Sequence, residues 1–448
     1  MSRLRILVLA PDANPESISV NLVCYRHAEA LAHLHDVTLV GHPRNEEALR
    51  RAQAPFHSIE AIGIPWLDRI FNWSLKRIFK YNFHSRALTV FWCPFSIAFE
   101  WSVWRRMRTR IAAGEFDIVL RLSPINSVVP SPFPFFLRKG PVPFVIGPIN
   151  GGLPWPQGFS QADKQKAWFD NLRNLYRYVP FARSTYSRAA AIVAGSSQTY
   201  AEFATYGDKL FFVPENAVSV SLCADTPRRH EGAGKLQLIF IGGLVPYKAC
   251  DLALRAAAPF LRSGSAQFTV VGDGPERSRL EQLVKSLGIE EAVTFCGMLS
   301  HAEAMERLRS ADVMVFPSVR EFGGGVVFEA LAVGVVPVVA DFGGPGDIVY
   351  PEVGYKVSLT NESDMVVQLE AVLAELIHDR GHLGRLRQQG MAYAKDRLTW
   401  DAKAQIVTRI MNWVLGRGPK PDLPPAKALA VGVGSPRQEH VLQQSQQA

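Results

Sequence analysis

The sequence predicts an α/β protein built from two Rossmann-like, doubly wound domains. Three observations carry the prediction. The chain has 448 residues, more than one hydrophobic core usually serves and enough for two. Short apolar runs alternate with amphipathic stretches in both halves, which implies parallel strands joined by crossover helices. A stretch from Pro214 to Lys235, rich in alanine, glycine and charge, separates the halves as a linker would.

In chain order, Ile6–Leu9 reads as the first strand. The apolar run that contains it is short and ends in Pro11-Asp12 without a cleavage-like site, so a buried strand is expected rather than a leader. Asn21–His33 reads as a helix with Leu22, Tyr25, Ala28 and Leu31 on one face. Val37–Val40, Asp117–Leu120 and Phe144–Ile146 read as further strands of the first sheet. The second half repeats the pattern with strands at Leu236–Ile241, Phe268–Val271, Val293–Phe295, Val313–Phe316 and Val336–Ala340. The expected organisation is therefore a first domain over residues 1–213, a linker over 214–235 and a second domain over 236–397. A helix over 398–415 follows, centred on Trp400–Leu415. The tail, 416–448, is rich in Pro, Gly, Ala and Gln and is expected to be disordered.

One segment departs from a plain Rossmann half. Residues 65–111 interleave aromatic side chains (Trp66, Phe71, Trp73, Trp92, Trp101 and Trp104 among them) with arginines and lysines. The apolar run Ala87–Phe99 contains Pro94 and is too short to span a bilayer. The segment reads either as an interfacial helix pair on an anionic membrane surface or as a helical insertion packed on the domain.

Composition narrows the function. Hydrophobic residues make up 48% and charged residues 20%, the balance of a soluble globular enzyme. The net charge of +8 favours anionic partners such as nucleotide sugars or acidic membrane surfaces. No nucleic-acid-binding signature accompanies the charge, so no nucleic acid partner is expected. The five cysteines are scattered, without a Cys-x-x-Cys, and read as reduced thiols of a cytoplasmic protein. No His/Cys cluster has zinc spacing.

The most informative motif is Glu321-Phe-Gly323-Gly324-Gly325-Val-Val-Phe-Glu329. Three glycines lead into a helix, and a helix start offers free backbone N–H groups and a positive dipole end, a ready site for a diphosphate. A carboxylate on either side can accept hydrogen bonds from sugar or ribose hydroxyls. The alternative is an ordinary strand–turn–helix joint. Arg320 precedes the motif. Gly272-Asp273-Gly274 ends a strand before a helix and reads as a tight turn or a direct ligand contact. In the first half, Asn150-Gly151-Gly152 and Arg121 follow strands at the end where open α/β sheets place ligands.

Five segments from Ile239 to Pro345 resemble the retaining glycosyltransferases of family 4, in order and in spacing. They are Phe240-Ile-Gly-Gly-Leu-Val-Pro-Tyr-Lys248, Val270-Val-Gly-Asp-Gly-Pro-Glu276-Arg277, Phe295-Cys-Gly297, Ala311-Asp312-Val-Met-Val-Phe-Pro317-Ser318 and Val336-Pro-Val-Val-Ala340. The resemblance implies the GT-B fold, with an acceptor domain, a donor domain and the active site in the cleft between them. It implies transfer of a sugar from a nucleotide-diphosphate donor, of the UDP-linked class, to an acceptor hydroxyl on a glycan or lipid-linked saccharide. Lys248 would pair with the donor diphosphate, Glu321 would lie near the transferred sugar and Glu329 would hold the ribose. Gly323, Gly324 and Gly325 would cradle phosphate or sugar hydroxyls, and Gly297 would meet the nucleobase. Arg121, Asn150, Gly151 and Gly152 would face the acceptor. The helix at the end of the second domain would cross back onto the first.

No metal or cofactor is expected, because Lys248 and helix dipoles would take the cation's place. Two departures stand out. The family usually has an arginine five residues before its lysine, where this chain has Gly243, and many members carry a histidine near the position of Arg121. Arg277 or Arg320 could replace the arginine. The departures keep a second class of function open, a catalytically impaired binding protein with the same fold. A phosphorylase of that fold would need a pyridoxal phosphate lysine motif, which is not found.

Overall fold

The computed structural model of the chain describes residues 3–67, 69–70, 93–153, 179–223 and 234–423. Thirteen strands among these residues form two separate parallel sheets. The first sheet holds β1 (Arg5–Leu9), β2 (Asp36–Gly41), β3 (Ser58–Ala61), β4 (Ile118–Arg121), β5 (Phe144–Ile149), β6 (Ala191–Ala194) and β7 (Leu210–Phe212). Their spatial order is β3-β2-β1-β4-β5-β6-β7, with Ile6 opposite both Val37 and Ile118. The order reverses beside β1, and such a reversal leaves a crevice at the carboxyl ends of the strands.

The second sheet holds β8 (Leu236–Ile241), β9 (Ala266–Val271), β10 (Val293–Gly297), β11 (Val313–Phe316), β12 (Val336–Ala340) and β13 (Tyr355–Val357). Their order is β10-β9-β8-β11-β12-β13, so this sheet also reverses beside its first strand. The strands that the periodicity predicts are all present. Those it does not predict, β3, β6, β7 and β13, are three or four residues long and three of them are edge strands.

Central strands read as continuous apolar runs because both faces are covered. Ile6 and Val8 of β1 point into one core, and Leu7 and Leu9 point into another. Helix α1 (Val20–Leu34) covers the first of these cores, with Cys24, Tyr25, Ala28 and Leu31 buried. Helix α2 (Cys93–Ala112) covers the second, burying Phe99, Val103, Met107 and Ile111. Residues 65–111 therefore include a helix whose one face belongs to the domain core. Trp104 packs on Phe136 with ring centroids 5.3 Å apart. Trp66 and Trp101 remain 64% and 48% exposed, and Arg105 stacks over the Trp101 ring at 5.1 Å. Residues 71–92 of this segment lie outside the described residues. No helix among the described residues is long and apolar enough to cross a membrane.

Two strands of chain pass between the domains side by side. Val218 donates its N–H to the Leu398 carbonyl at 2.9 Å and accepts from the Trp400 N–H at 3.0 Å. Helix α3 (Trp400–Val414) then packs Ala404, Val407, Ile410 and Met411 into the first domain's core. Its Thr408 hydroxyl meets His35 Nε2 at 2.7 Å. The tail that is expected to be disordered from Gly416 is placed on the first domain as far as Leu423. Arg417 pairs with Asp117 at 3.2 Å, and Lys420 pairs with Asp208 at 3.1 Å. The remainder, residues 424–448, and residues 224–233 of the expected linker lie outside the described residues.

Candidate active site

In the second domain the loops leaving β8, β9 and β11 meet at the carboxyl edge of the sheet. Their closeness explains the glycines. A Cβ built on Gly272 would lie 2.0 Å from the Gly242 carbonyl oxygen, and one on Gly274 would lie 2.4 Å from that of Leu244. Leu244 donates its N–H to the Asp273 carbonyl at 2.9 Å. Gly272 and Gly274 thus let two backbones touch, and that contact holds the loop ending in Lys248. Gly297 closes β10 with φ 70°, and its carbonyl accepts from the Gly272 N–H at 2.8 Å.

Lys248 and Glu321 are brought together. The Lys248 ammonium is ion-paired with Glu321 Oε2, and both side chains are about five-sixths buried, at 16% and 17% exposed. The ammonium also lies 4.8 Å above the Phe316 ring. The other carboxylate oxygen of Glu321 accepts from the Gly324 N–H at 3.2 Å. Glu321 thereby ties the lysine loop to the start of helix α4 (Gly325–Ala332), whose N-cap is Gly324 in the left-handed region at φ 56°. A second glycine pair supports the same turn: Gly344 donates to the Glu321 carbonyl at 3.2 Å, and a Cβ on Gly343 would lie 2.0 Å from that oxygen.

Glu329 stands about one helical turn along α4. Its Oε1 meets Nε2 of His301 at 2.8 Å, and His301 is 73% exposed. The hydrogen bond to Glu329 raises the imidazole's pKa, against partial burial. Sequence reasoning does not single out His301, which lies 28 residues from Glu329 and has no motif of its own. Arg277 is tied to Glu281 at 2.5 Å and stacks over Phe295 at 4.9 Å, beside Gly297 rather than beside Gly243. Around Gly243 the space is open: a Cβ there would meet nothing within 4 Å. Arg320 reaches the other domain, where its Nε donates to the Leu153 carbonyl at 3.3 Å.

In the first domain the loop after β5 faces the glycine turn of the second. Asn150 Oδ1 accepts from the Gly152 N–H at 2.8 Å, and its Nδ2 donates to Glu215 Oε2 at 3.1 Å. Gly151 donates to Thr199 Oγ1 at 2.8 Å. Leu153 Cδ1 would lie 2.9 Å from a Cβ on Gly343. Asn150, Gly151 and Gly152 thus stand close to the glycine loop across the cleft.

Arg121, expected on the acceptor side, is not there. It is fully buried, its Nε donates to Glu100 Oε1 at 2.7 Å, and Ser131 binds the other Glu100 oxygen. The reason is strand parity. Arg121 shares the face of β4 that carries Val119, beneath helix α2, and Glu100 of that helix neutralises it. Burial raises the Glu100 carboxyl, and the Arg121 charge opposes that rise. A buried pair of this kind is costly to break because the surviving charge would be left without its partner.

Sequence reasoning also misses Glu215. It stands three residues after the end of β7, within the stretch that reads as the start of the linker. Its carboxylate is buried between Asn150 and the glycine loop, and Lys403 of α3 donates to its main-chain oxygen. Among the described residues no three His, Cys, Asp or Glu side chains converge into a metal-binding group.

Residues 225–394 match the family model for glycosyl transferases, group 1. Within the curated proteins, an uncharacterized glycosyltransferase of Methanocaldococcus jannaschii is 33% identical over 139 residues, 31% of this chain and 36% of the relative. The chain thus spans about a third of that relative's length. Two solved structures share the whole architecture. A sucrose-phosphate synthase from Thermosynechococcus elongatus aligns over 93% of this chain and all of its own, with TM-score 0.62 and 16% identity. HepE of Anabaena, in complex with UDP, aligns over 92% of this chain and all of its own, with TM-score 0.59 and 16% identity. The fold is GT-B, two Rossmann-like domains, and the group 1 match falls on the second of them.

Proposed function

We propose that this protein is a retaining glycosyltransferase of the family 4 kind, transferring a hexosyl group from a UDP-linked donor to an acceptor hydroxyl on a glycan or lipid-linked saccharide. One observation carries the reading. The Lys248–Glu321 ion pair sits at the glycine turn that starts α4, with Glu329 further along the same helix. An incoming diphosphate would take Lys248 from Glu321, because a charge-assisted bond to phosphate replaces one to carboxylate. The freed Glu321 would then be available to the transferred sugar, and backbone N–H groups of Gly323, Gly324 and Gly325 to its phosphate or hydroxyls. Glu329 would accept from the two ribose hydroxyls, in place of His301 or beside it. Gly297 would meet the nucleobase. The group 1 match over 225–394 and the UDP carried by HepE support the donor class.

Catalysis in this reading is electrostatic. Lys248 and the α4 dipole stabilise the charge that grows on the departing diphosphate, and no metal is required. Asn150, Gly151 and Gly152 would receive the acceptor. The exposed Trp66 and Trp101, flanked by Arg69 and Arg105, support a peripheral position on an anionic, cytoplasmic membrane face. The acceptor is proposed as a class only.

The test is a transfer and hydrolysis assay with UDP-, GDP- and ADP-sugars, run with and without EDTA, with retention or inversion read by NMR of the product anomer. Turnover of a UDP-sugar with retention and without metal supports the reading. Turnover restored only by magnesium or manganese contradicts the metal-free part. Binding of UDP without turnover of any sugar would favour the impaired binding protein, to which the open space at Gly243 also points.

A further inference from the structure

Helix α5 (Ser197–Glu202) of the first domain and helix α6 (Gly343–Ile348) of the second meet, and one side chain joins them. Asp347 of α6 is 4% exposed, and its Oδ2 accepts from the Ser197 N–H at 2.8 Å. Ser197 is the first residue of α5, where a helix leaves its N–H groups without internal partners and carries the positive end of its dipole. A carboxylate suits that end, and the bond it accepts there is charge-assisted. A carboxylate is also costly to bury without such a partner. Asp347 thus directs a buried charge at the other domain.

Each of the two helices is fastened to one side of the candidate site. On the donor side, α6 opens with Gly343 and Gly344. Gly344 donates its N–H to the Glu321 carbonyl at 3.2 Å, and a Cβ on it would lie 2.2 Å from the Phe322 carbonyl oxygen. On the acceptor side, Thr199 of α5 is fully buried, and its Oγ1 accepts from the Gly151 N–H at 2.8 Å. A Cβ on Gly151 would come 2.3 Å from Glu202 Oε2, so the loop lies directly on α5. Ser196 Oγ accepts from the Thr199 N–H at 3.2 Å and fixes the turn that carries both contacts. The contacts run in sequence from Glu321 through Gly344, Asp347, Ser197 and Thr199 to Gly151.

We propose that Asp347 is a positioning residue of the transfer, which couples the donor turn to the acceptor loop through α6 and α5. The proposal deepens the glycosyl-transfer reading and rests on it. In that reading the donor takes Lys248 from Glu321, and Glu321 stands in the turn that α6 grips. A close-packed interior transmits such a change rather than absorbing it. Asp347 passes it to α5, and α5 sets Asn150, Gly151 and Gly152 against the donor. An occupied donor site thereby places the acceptor loop. A transfer between two substrates needs that placement, since a shift of about 1 Å at the reacting groups is enough to slow it markedly.

The experiment is amide hydrogen exchange read by mass spectrometry, with and without saturating UDP, on wild type, Asp347→Ala, Asp347→Asn and Ser197→Pro. UDP affinity and the thermal midpoint are measured on the same samples. Ser197→Pro breaks the same bond from its other side by removing the N–H. Proline fits there, because Ser197 is the first helical residue and Ser196 before it is extended, at φ −148° and ψ 160°. In wild type, UDP should slow exchange at 321–329, which it contacts, and also at 150–153 and 197–203 in the other domain. In Asp347→Ala and Ser197→Pro the slowing at 150–153 and 197–203 should be lost, while that at 321–329 and the UDP affinity keep parent values. Asp347→Asn keeps a side-chain oxygen that can accept, and it should retain the slowing in both domains. A residue that served folding alone would lower the midpoint and leave the transmitted slowing in place. Slowing that persists at 150–153 in either bond-breaking variant overturns the proposal, as does its loss in Asp347→Asn or a wild type in which UDP protects 321–329 alone. If Asp347→Ala does not fold, Ser197→Pro decides by the same criterion. A wild type in which UDP slows exchange nowhere fails the donor-site reading itself, and the coupling falls with it.

Discussion

Lys248 shows how a single residue's surroundings fix its expected effect. Its ammonium is held against Glu321 and above Phe316 in a part-buried site, so its position is already set before a donor arrives. A preset cation aimed at a leaving diphosphate acts most strongly on the transition state. Lys248→Ala should therefore lower kcat by about 10²-fold or more while leaving the KM for donor within a few-fold, the pattern of an interaction made mainly in the transition state. Steady-state kinetics on the purified variant checks it, and parent-like kcat would pass the role to Arg320, which also reaches the cleft. At this scale the sequence was legible where chemistry is local. Lys248 and Glu321 stand in or beside glycine-rich turns, and the structure brings the two together across 73 residues as an ion pair. It was not legible where chemistry depends on distant partners. Glu215 finds Asn150 across 65 residues, and Arg121 finds Glu100 across 21, on the opposite side of the strand from the cleft. A residue at a strand's carboxyl end faces the crevice or the covering helix according to parity, and the sequence alone does not show which register the strand adopts.

Among elements, the turns matter more than the strands and helices they join. Residues 321–325 and 341–346 form two loops that lock together through Gly343 and Gly344, which press on the Glu321 and Phe322 carbonyls. Gly343 has φ 64°, a conformation that L side chains rarely adopt, and its Cβ would strike the Glu321 oxygen at 2.0 Å and Leu153 at 2.9 Å. Gly343→Ala should cost more than about 1 kcal/mol of stability. It should also displace Glu321, and a displacement of about 1 Å at a reacting centre can lower turnover about 10²-fold. Gly264→Ala is the control. Gly264 has φ 73° and open space around it, far from the cleft, so the stability loss should appear without the loss of turnover. Denaturant unfolding and kinetics on both variants separate the two effects, and equal turnover in both would show that the two loops do not couple. The central strands were legible because they are apolar on both faces, whereas β3 and β13 were not, because Glu60 and Lys356 interrupt their apolar residues.

At the scale of the whole molecule, two chain crossings and one cleft organise everything else. Val218 and Trp400 bind the crossings to each other, and α3 returns to finish the first domain's core with Val407, Ile410 and Met411. The duplicated pattern of strands and helices made this two-domain plan readable from the sequence, whereas the return of residues 416–423 onto the first domain had no apolar signal to announce it. The exposed Trp66 and Trp101, within the aromatic and basic segment 65–110, add a prediction of their own. If the segment's arginines and aromatic rings meet a membrane, vesicles containing anionic lipid should retain the protein at low salt and release it at high salt, because exposed charges are screened beyond about 10 Å at 0.1 M. Co-sedimentation with anionic and neutral vesicles measures this, and equal weak binding to both would leave Trp66 and Trp101 as ordinary surface residues.

The central claim is that the second domain holds a nucleotide through Glu329 and the glycine turn that starts α4. Calorimetric titration of UDP into wild type and into Glu329→Ala tests it most directly. The account predicts a saturable site in the wild type and at least about a tenfold weaker one in the variant, since the loss of a charged acceptor for hydroxyl donors is worth about 1.5–3 kcal/mol. Equal affinity in the two proteins, or no saturable binding in the wild type for UDP, GDP or ADP, would contradict it.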